Sequence, residues 1–214
     1  MKVIDLTQTI TEDMPVYPGT EGPYLEPANS YEKDGFRETK YHFFSHTGTH
    51  IDPPVHLFPE RTALDEFAAS QFVGKALVID CRDVADGGEI TMKHLESSGD
   101  YKSVDFLLFN TGWDKKWGTE AYFGDYPCIN SEVLDFIIAS DLKGIGFDVI
   151  GLDPIADTAL VRHNKLLSLK DIINIENLKD LDLCPKGESF LFACLPIKVK
   201  NSDGAPARAV AIIE

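Results

Sequence analysis

Residues 46–56 form the stretch His46-Thr47-Gly48-Thr49-His50-Ile51-Asp52-Pro53-Pro54-Val55-His56, which contains three of the six histidines in this chain of 214 residues. Imidazole and carboxylate groups bind zinc, manganese or iron at neutral pH, and they also serve as general bases. A solvated loop has no need of such a concentration of these groups. The stretch therefore predicts a functional site, and its glycine and prolines predict the local course of the chain.

A bend is expected within this stretch. The preceding residues, Lys40-Tyr41-His42-Phe43-Phe44-Ser45, are rich in aromatic side chains and predict a strand. If that strand continued, the α-carbons of His46 and His50 would lie about 13 Å apart, which strains two ligands of one ion. We therefore expect the chain to bend at Thr47-Gly48-Thr49, where the glycine tolerates the dihedral angles that a bend needs, and we expect Pro53-Pro54 to stiffen the exit.

The composition is that of an ordinary globular protein, with 43% hydrophobic and 26% charged residues, and it predicts one domain over residues 1–214. The four cysteines show no CxxC spacing. The segment Met1-Lys2-Val3-Ile4-Asp5-Leu6 lacks the apolar core of a signal peptide, and the apolar runs are too short to span a bilayer. These features predict a cytoplasmic protein with reduced thiols and without a membrane partner.

The net charge of −15 opposes binding to nucleic acids and to anionic membranes, because such surfaces repel an acidic protein. The sequence contains no basic stripe or polybasic tail that would reverse this preference. A negative field attracts cations instead, which is compatible with a metal site. We expect the partner of this protein to be a small-molecule substrate.

Apolar periodicity predicts more strands than helices. The predicted strands cover residues 2–10, 37–46, 75–81, 105–110, 144–149, 190–199 and 207–213. Helices are predicted at 65–70, 91–98 and 130–140, a long loop at 11–35, and either a strand or a short helix at 169–175. This order indicates an α/β or α+β domain, and we expect an α/β domain whose mixed, partly barrel-like sheet is flanked by helices.

Remote residues are candidates to complete a metal site. A set of nitrogen and oxygen donors without a thiolate is typical of a catalytic ion with open coordination positions. His163 lies among polar residues, so a ligand and an exposed loop histidine are equally compatible with the sequence. Glu176 lies in an apolar stretch, where a carboxylate costs free energy unless it is paired or bound to a cation. Asp148, Asp153 and Asp157 could also be ligands, but aspartates at such positions more often cap turns.

The segment from His46 to His56 resembles the HxGTHxDxPxH motif of the cyclase and kynurenine formamidase (arylformamidase) family of metal-dependent hydrolases. The resemblance extends over most of the chain. Four further segments are similar to elements of that family and occur in the same order: Pro15-Val16-Tyr17-Pro18-Gly19, His163-x-x-Leu166-Leu167, Glu176-Asn177-Leu178, and Leu195-Pro196-Ile197 with the residues from Asp203 to Ala209.

The resemblance implies a swivelling β/β/α fold, a dimer or tetramer, and a site for two divalent ions, usually zinc and sometimes manganese. It assigns His46, His50 and Asp52 to one ion. It assigns Asp52, His163 and Glu176 to the second ion, so that Asp52 would bridge the two. His56 corresponds to the acid/base histidine of the family.

One departure concerns the substrate. Tyr17 stands where the family usually has a tryptophan that helps to hold an aromatic substrate. A tyrosine ring can still stack on an aromatic ring, but its hydroxyl changes the shape and polarity of the pocket. We therefore predict Tyr17 to be a substrate-binding residue.

These observations predict a metal-dependent hydrolase of a small amide, formamide or lactone. The substrate closest to the family is N-formylkynurenine or a related aryl formamide, which would place the protein in tryptophan catabolism. A metal-activated water would attack the carbonyl, and His56 would move the proton. Two alternatives remain: a lyase or cyclase that uses the same metal site, and a non-catalytic protein that binds a metal or a small molecule. His56 argues against the non-catalytic alternative, because a binder needs no proton shuttle.

Overall fold

A mixed sheet that closes on itself forms the centre of the protein in the computed structural model, which describes residues 1–213. The strands of the described chain are β1 (Lys2–Asp5), β2 (Tyr24–Asn29), β3 (Glu38–His42), β4 (His50–Asp52), β5 (Val73–Asp80), β6 (Glu89–Ile90), β7 (Phe106–Asn110), β8 (Cys128–Ile129), β9 (Gly144–Phe147), β10 (Ile173–Glu176), β11 (Phe190–Pro196) and β12 (Ala205–Ile213). The predicted α/β fold with a barrel-like mixed sheet is confirmed.

The main sheet has the strand order β1-β12-β11-β5-β7-β9-β10-β4 over residues 1–213. Strands β5, β7, β9 and β10 are parallel, whereas the other pairs are antiparallel. Strand β4 also pairs with β12, which closes a seven-stranded barrel within the described residues. The short strand β4 is thus held between β10 on one side and β12 on the other, and this position determines where its side chains point.

Two apolar cores lie on the two faces of this sheet. The barrel interior contains Phe106, Ile175 and Phe192, together with alanines at alternate positions of β12, from Ala205 to Ala211. These small side chains fit the narrow interior of the barrel, because the inward positions of a closed sheet have little room. Residues of the opposite face, including Leu107 and Phe109 in the same strand β7, pack against the helices. Strand β7 is therefore buried on both faces and lacks polar alternation.

The helices of the described chain are α1 (Tyr31–Asp34), α2 (Met92–Ser97), α3 (Ser131–Ala139) and α4 (Val161–Leu169). Short 3₁₀ helices cover Pro54–His56, Leu64–Glu66, Ala69–Phe72, Trp113–Lys116, Glu120–Phe123 and Leu181–Leu183. Helix α3 begins after Asn130, whose side chain accepts a hydrogen bond from the backbone N–H of Val133 at 3.0 Å. Within residues 1–213, no helix has both the length and the apolar character needed to cross a membrane.

Several predicted elements were wrong or misplaced. The predicted loop at 11–35 contains strand β2 and helix α1, because Pro27 and the neighbouring polar residues gave that strand the composition of a loop. The predicted helix at 65–70 is replaced by two 3₁₀ turns. The strand predicted at 37–46 ends at His42, and of the two alternatives at 169–175 the strand is confirmed as β10.

Helix α4 was not predicted. Its buried side chains are His163, Leu166 and Leu167, which have the i, i+3, i+4 spacing of a helical face. A histidine occupies the first of these positions, so the apolar periodicity that reveals a helix is interrupted. His163 is consequently a buried helical residue and not an exposed loop residue.

The four cysteines Cys81, Cys128, Cys184 and Cys194 are all buried and free. Cys194 lies on strand β11 of the main sheet, and Cys128 lies on strand β8, which pairs with β6 in a separate two-stranded sheet. The prediction of reduced thiols agrees with this arrangement.

Candidate metal centre

The predicted bend lies at Gly48, whose backbone φ angle is +62°. This left-handed conformation costs glycine little, whereas a β-carbon at this position would also approach the Ile10 side chain to 3.2 Å. The bend brings the rings of His46 and His50 together, with their centroids 5.2 Å apart. Residues four positions apart in sequence can therefore face the same centre.

Pairing between β4 and β10 fixes the floor of the centre. His50 is opposite Glu176, and Asp52 is opposite Asn174 in the antiparallel register. Directly opposed residues, and residues two apart on one strand, project from the same face of a sheet. These four side chains therefore share one face, and all four are buried.

His50 is oriented by its own bend. Its Nδ1 lies 2.9 Å from the carbonyl oxygen of Gly48, to which it donates a hydrogen bond. This contact leaves Nε2 as the free nitrogen, 3.2 Å from Asp52 Oδ1 and 3.6 Å from Glu176 Oε2. A histidine whose second nitrogen is anchored in this way is typical of metal ligands, because the anchor fixes the tautomer and the ring direction.

His163 reaches the same point from helix α4. Its Nδ1 lies 2.7 Å from Asp153 Oδ2, and Asp153 also accepts hydrogen bonds from the backbone N–H groups of Arg162 and His163. Asp153 therefore caps the start of α4 and orients the imidazole at once. The Nε2 atom of His163 is consequently directed to Glu176 Oε1 at 3.2 Å and to Asp52 Oδ2 at 3.7 Å.

His46 lies on the solvent side of Asp52. Its Nδ1 is 2.6 Å from Asp52 Oδ1, whereas its buried Nε2 has no hydrogen-bond partner and lies 3.5 Å from Asp203 Oδ2. The ring packs on Gly204, where an added β-carbon would stand 2.5 Å from it. Gly204 thus leaves room for the imidazole, a requirement that the sequence alone did not reveal.

His56 completes the group of histidines. It ends the 3₁₀ helix Pro54–His56, and its ring centroid lies 4.0 Å from that of His46 and 6.4 Å from that of His163. The structure thus brings together every residue that the sequence predicted as ligand or acid/base group: His46, His50, Asp52, His56, His163 and Glu176.

The buried carboxylates of the centre favour positive charge on the neighbouring groups. Burial by itself lowers the pKa of His50, but the carboxylates of Asp52 and Glu176 outweigh burial and raise that pKa to about 9. Burial likewise opposes protonation of His163, yet its hydrogen bonds to Asp153 and to the other two carboxylates raise its pKa. Burial would raise the pKa of Asp52, whereas the neighbouring imidazoles hold it well below the usual value. The surplus of buried carboxylates attracts either protons or a divalent cation.

The donor set of His46, His50 and Asp52 fits a divalent cation, since one donor atom from each lies within 4.8 Å of the others. The anchored Nδ1 of His50 and the contact between His46 Nδ1 and Asp52 Oδ1 support the same conclusion. Asp52, His163 and Glu176 form a second group of this kind. That group, however, also surrounds a residue that the sequence analysis did not single out, Asn174.

The other aspartates weighed as ligands cap turns, as expected. Asp148 accepts hydrogen bonds from the backbone N–H groups of Thr111 and Gly112, at 3.0 and 2.7 Å. Asp157 accepts from the backbone N–H of Val161 at the start of α4. Both therefore stabilise loops near the centre without entering it.

A cavity of about 270 Å³ opens above the centre. His46, His50, Asp52, His56, His163 and Glu176 line its floor, and the outer wall consists of Pro15, Val16, Tyr17, Thr20, Ile150 and Leu160. Tyr17, the predicted substrate-binding residue, is part of this wall. Among the described residues that line this cavity, none is a lysine or an arginine.

Residues 4–154 match the family model described as "Putative cyclase". The chain is 31% identical to kynurenine formamidase of Bacillus thuringiensis over 211 residues, which cover 97% of this chain and 95% of the relative. Isatin hydrolase A from Labrenzia aggregata, solved with benzyl benzoate bound, is similar with a TM-score of 0.86 and 26% identity, covering 99% and 93% of the two chains. A structure described as a potential metal-dependent hydrolase with cyclase activity is similar with a TM-score of 0.79 and 25% identity, covering 100% and 99%.

Proposed function

Because the chain belongs to the cyclase family of metal-dependent hydrolases, we propose that it hydrolyses a small uncharged aryl formamide, as an arylformamidase does. One observation supports this proposal most strongly. Imidazoles and carboxylates from the bend at Gly48, from β10 and from α4 converge at the floor of a single small cavity. The bend is far in sequence from α4 and β10, and these elements have no structural need to bring their buried ionisable groups to one point.

In this proposal His46, His50 and Asp52 hold the catalytic cation, either zinc or manganese, since both accept nitrogen and oxygen ligands. When bound, a divalent cation supplies a Lewis acid for the carbonyl oxygen and lowers the pKa of water. The chain contributes the orientation of that ion, through the contacts of His50 with Gly48 and of His46 with Gly204. It also excludes bulk water, because His50 and Asp52 are almost completely buried.

His56 moves the proton. Burial is the main cause that lowers its pKa below the usual 6.5, so the imidazole is neutral at pH 7 and can accept a proton from the attacking water. The water oxygen bonds to the formyl carbon, the carbon–nitrogen bond breaks, and the proton passes from His56 to the leaving nitrogen. The products are an amine and formate.

The cavity wall indicates the class of substrate. Its volume of about 270 Å³ fits a single aromatic ring with a small acyl group, and the Tyr17 ring can stack on such a ring. The lining has no basic side chain among residues 1–213 to pair with a substrate carboxylate. We therefore expect an aryl formamide without a charged side chain to be a better substrate than N-formylkynurenine.

The same wall favours a second candidate reaction, the opening of a cyclic amide. The similarity to isatin hydrolase A extends over the whole sheet, and a neutral bicyclic amide has the size and polarity that this cavity accepts. Attack on a ring carbonyl followed by cleavage of its carbon–nitrogen bond requires the same residues in the same roles.

The test is hydrolysis of three compounds by protein loaded with zinc or with manganese: N-formylkynurenine, formanilide and isatin. We expect turnover of at least one neutral compound. His56→Gln should lower kcat by about 10²- to 10⁴-fold, the range for loss of a general acid or base, while the metal content stays unchanged. His42→Gln is the matched control, because His42 pairs with Glu26 on the hairpin of β2 and β3, away from the centre.

Two outcomes would contradict the proposal. A metal-loaded protein without activity on the whole panel would indicate a non-catalytic binder. A His56→Gln variant with the normal rate would refute the role of His56.

We further propose a homo-oligomer, a dimer or a tetramer, in the cytoplasm. The hairpin of β2 and β3 exposes the aromatic side chains of Tyr24 and Tyr41, 54% and 66% of whose surface is accessible. Tyr41 also stacks on Phe43 with the ring centroids 5.9 Å apart, and aromatic side chains are enriched in protein interfaces. Light scattering combined with size-exclusion chromatography measures the mass in solution, and a monomer of 23.7 kDa would refute this part of the proposal.

A further inference from the structure

Asn174 occupies the middle of the second group of donors. It lies on β10, two residues before Glu176 and opposite Asp52, so its side chain projects from the same face as both carboxylates. Its Nδ2 lies 2.8 Å from Glu176 Oε1, 3.0 Å from Asp52 Oδ2 and 3.4 Å from His163 Nε2. These are atoms of the three residues that the family resemblance assigns to a second ion.

An ion and this amide cannot share the position. Zinc lies within about 2.0–2.2 Å of nitrogen and oxygen ligands, so an ion bound to all three atoms would lie closer to them than Nδ2 does, in the space against which the amide packs. The two N–H groups of the amide would also point their positive ends at the ion. Binding of a second cation would therefore require Asn174 to turn away inside a buried site.

The amide already provides what a cation would provide. Asp52 and Glu176 are 1% and 5% exposed, and two buried carboxylates at close range repel each other unless positive groups separate them. The two N–H groups of Asn174 donate to one carboxylate each, and such charge-assisted bonds are strong. Glu176 Oε1 also accepts a hydrogen bond from the backbone N–H of Leu152 at 2.9 Å. Glu176 is thus satisfied as a structural carboxylate.

We propose that the side-chain amide of Asn174 takes the place of the second cation, so that this chain binds one divalent ion, at His46, His50 and Asp52. This inference rests on the proposed function for the role of that ion. It departs from the two-ion site that the family resemblance implies. Asn174 acts as a positioning residue, because it fixes the Asp52 carboxylate for the first ion without contacting the reacting atoms.

The Asn174 amide could also adopt the reverse orientation, in which its oxygen faces the three donor residues. The Oδ1 atom of Asn174 is buried and has no hydrogen-bond partner. If the amide rotated by half a turn, Oδ1 would face the same three residues and become a further ligand of a second ion. The two arrangements predict opposite effects of removing the amide.

The experiment measures metal stoichiometry by elemental analysis and by calorimetric titration of metal-free protein with zinc or manganese. Wild-type protein should bind one ion per chain. Asn174→Ala and Asn174→Asp should each bind two, because the first variant clears the position and the second replaces a donor with a ligand. Asn110→Ala is the matched control: Asn110 is a buried asparagine on β7 that does not line the candidate site, and this variant should bind one ion.

A further variant tests where the second ion binds. Adding Glu176→Gln to Asn174→Ala should return the stoichiometry from two to one, because the neutral amide is a weaker ligand than the carboxylate. The melting temperature of each variant with and without metal shows whether it folds, and for Asn174→Asp we expect a low value that metal restores.

Two results would overturn the inference. One is wild-type protein with two ions and Asn174→Ala with one, which would make Asn174 a ligand. The other is one ion in wild type and in both variants, which would mean that the amide does not exclude a second ion. Failure of the proposed function gives a different result: absence of bound metal, or a change from one to two ions without any hydrolysis.

Discussion

At the scale of single residues, the centre depends on what surrounds each histidine more than on the histidines themselves. His50 and His163 are held in the same way, because in each case the Nδ1 atom is anchored by an oxygen: a backbone carbonyl for His50 and Asp153 for His163. His56 has no such anchor among the hydrogen bonds of residues 1–213. It lies against His46 with its ring free to change protonation, which suits a proton carrier and not a ligand.

The pH dependence of activity should follow His56. Because burial lowers its pKa, the imidazole stays neutral to a more acid pH than a free histidine does. We therefore expect the midpoint of the fall of kcat/KM in acid to lie below pH 6.5, the usual pKa of histidine. Stopped-time assays at saturating metal, with the metal content measured at each pH, separate this effect from protonation of the ligands. A midpoint above pH 6.5 would contradict the prediction.

At the scale of elements, the segment that follows β10 holds the bend that precedes β4. Asn177 adopts a left-handed conformation with φ of 58°. Its Nδ2 donates to the carbonyl oxygen of Gly48 at 2.9 Å, and its Oδ1 accepts from the Tyr122 hydroxyl at 2.7 Å. The Thr49 hydroxyl donates to the backbone carbonyl of Asn177 at 2.6 Å. The bend with its two histidines is therefore fastened to β10 by side chains as well as by strand pairing.

Two substitutions separate the contributions of Asn177. Asn177→Gly keeps the left-handed backbone and loses the side-chain hydrogen bonds, so we expect a loss of about 2 kcal/mol in the free energy of unfolding. Asn177→Ala loses the hydrogen bonds and also strains the backbone, which adds about 1 kcal/mol. Urea unfolding of both variants and of wild type measures these differences. Equal stability of Asn177→Ala and wild type would show that the bend needs no fastening.

The sequence predicted part of the centre, and the rest depends on contacts that only the folded structure shows. Residues 46–56 identified the centre because most of its donors are close together in the chain, and the bend at Gly48 followed from distances along a strand. The role of Asn174 could not be predicted from the sequence. This residue is a single polar residue in an apolar strand, and only the register of β4 against β10 places it opposite Asp52.

Some strands and helices were likewise predicted from the sequence, whereas others were not. Strands with continuous apolar runs, such as β7, were predicted within one residue. Helix α4 was missed because His163 interrupts its apolar face, and β2 was missed because Pro27 is typical of a loop. His163 belongs to the candidate site and Pro27 lies in a two-stranded hairpin, and each of them interrupts the hydrophobic pattern from which its helix or strand would be predicted.

At the scale of the whole molecule, the proposed cation would stabilise the short strand that closes the barrel. Strand β4 closes the barrel through only a few residue pairs with β10 and β12. A cation bound to His46, His50 and Asp52 would hold both the bend and this short strand in place, because the unfolded chain does not offer those ligands together.

Removal of metal should therefore lower the melting temperature. At a free metal concentration about 100 times the dissociation constant, binding adds about 2.7 kcal/mol to the free energy of unfolding. For a chain of this length this corresponds to about 5–10 °C. Calorimetry of metal-loaded protein and of protein treated with a chelator measures the difference, with Asp52→Asn as the control that should not respond to metal. Identical melting curves for the two wild-type samples would contradict the role of the ion in closing the barrel.

The burial of the four cysteines makes their chemical reactivity a measure of local opening of the protein. Burial raises the pKa of the Cys128 thiol to about 11 and that of Cys184 to about 12, and it raises those of Cys81 and Cys194 as well. An alkylating reagent needs both access and a thiolate, so it can modify these sulfurs only when the core around them opens locally. Cys81 and Cys128 belong to the core on the helix side of the sheet, and Cys184 and Cys194 to the core inside the barrel. The alkylation rate of each sulfur would therefore measure how often its own core opens.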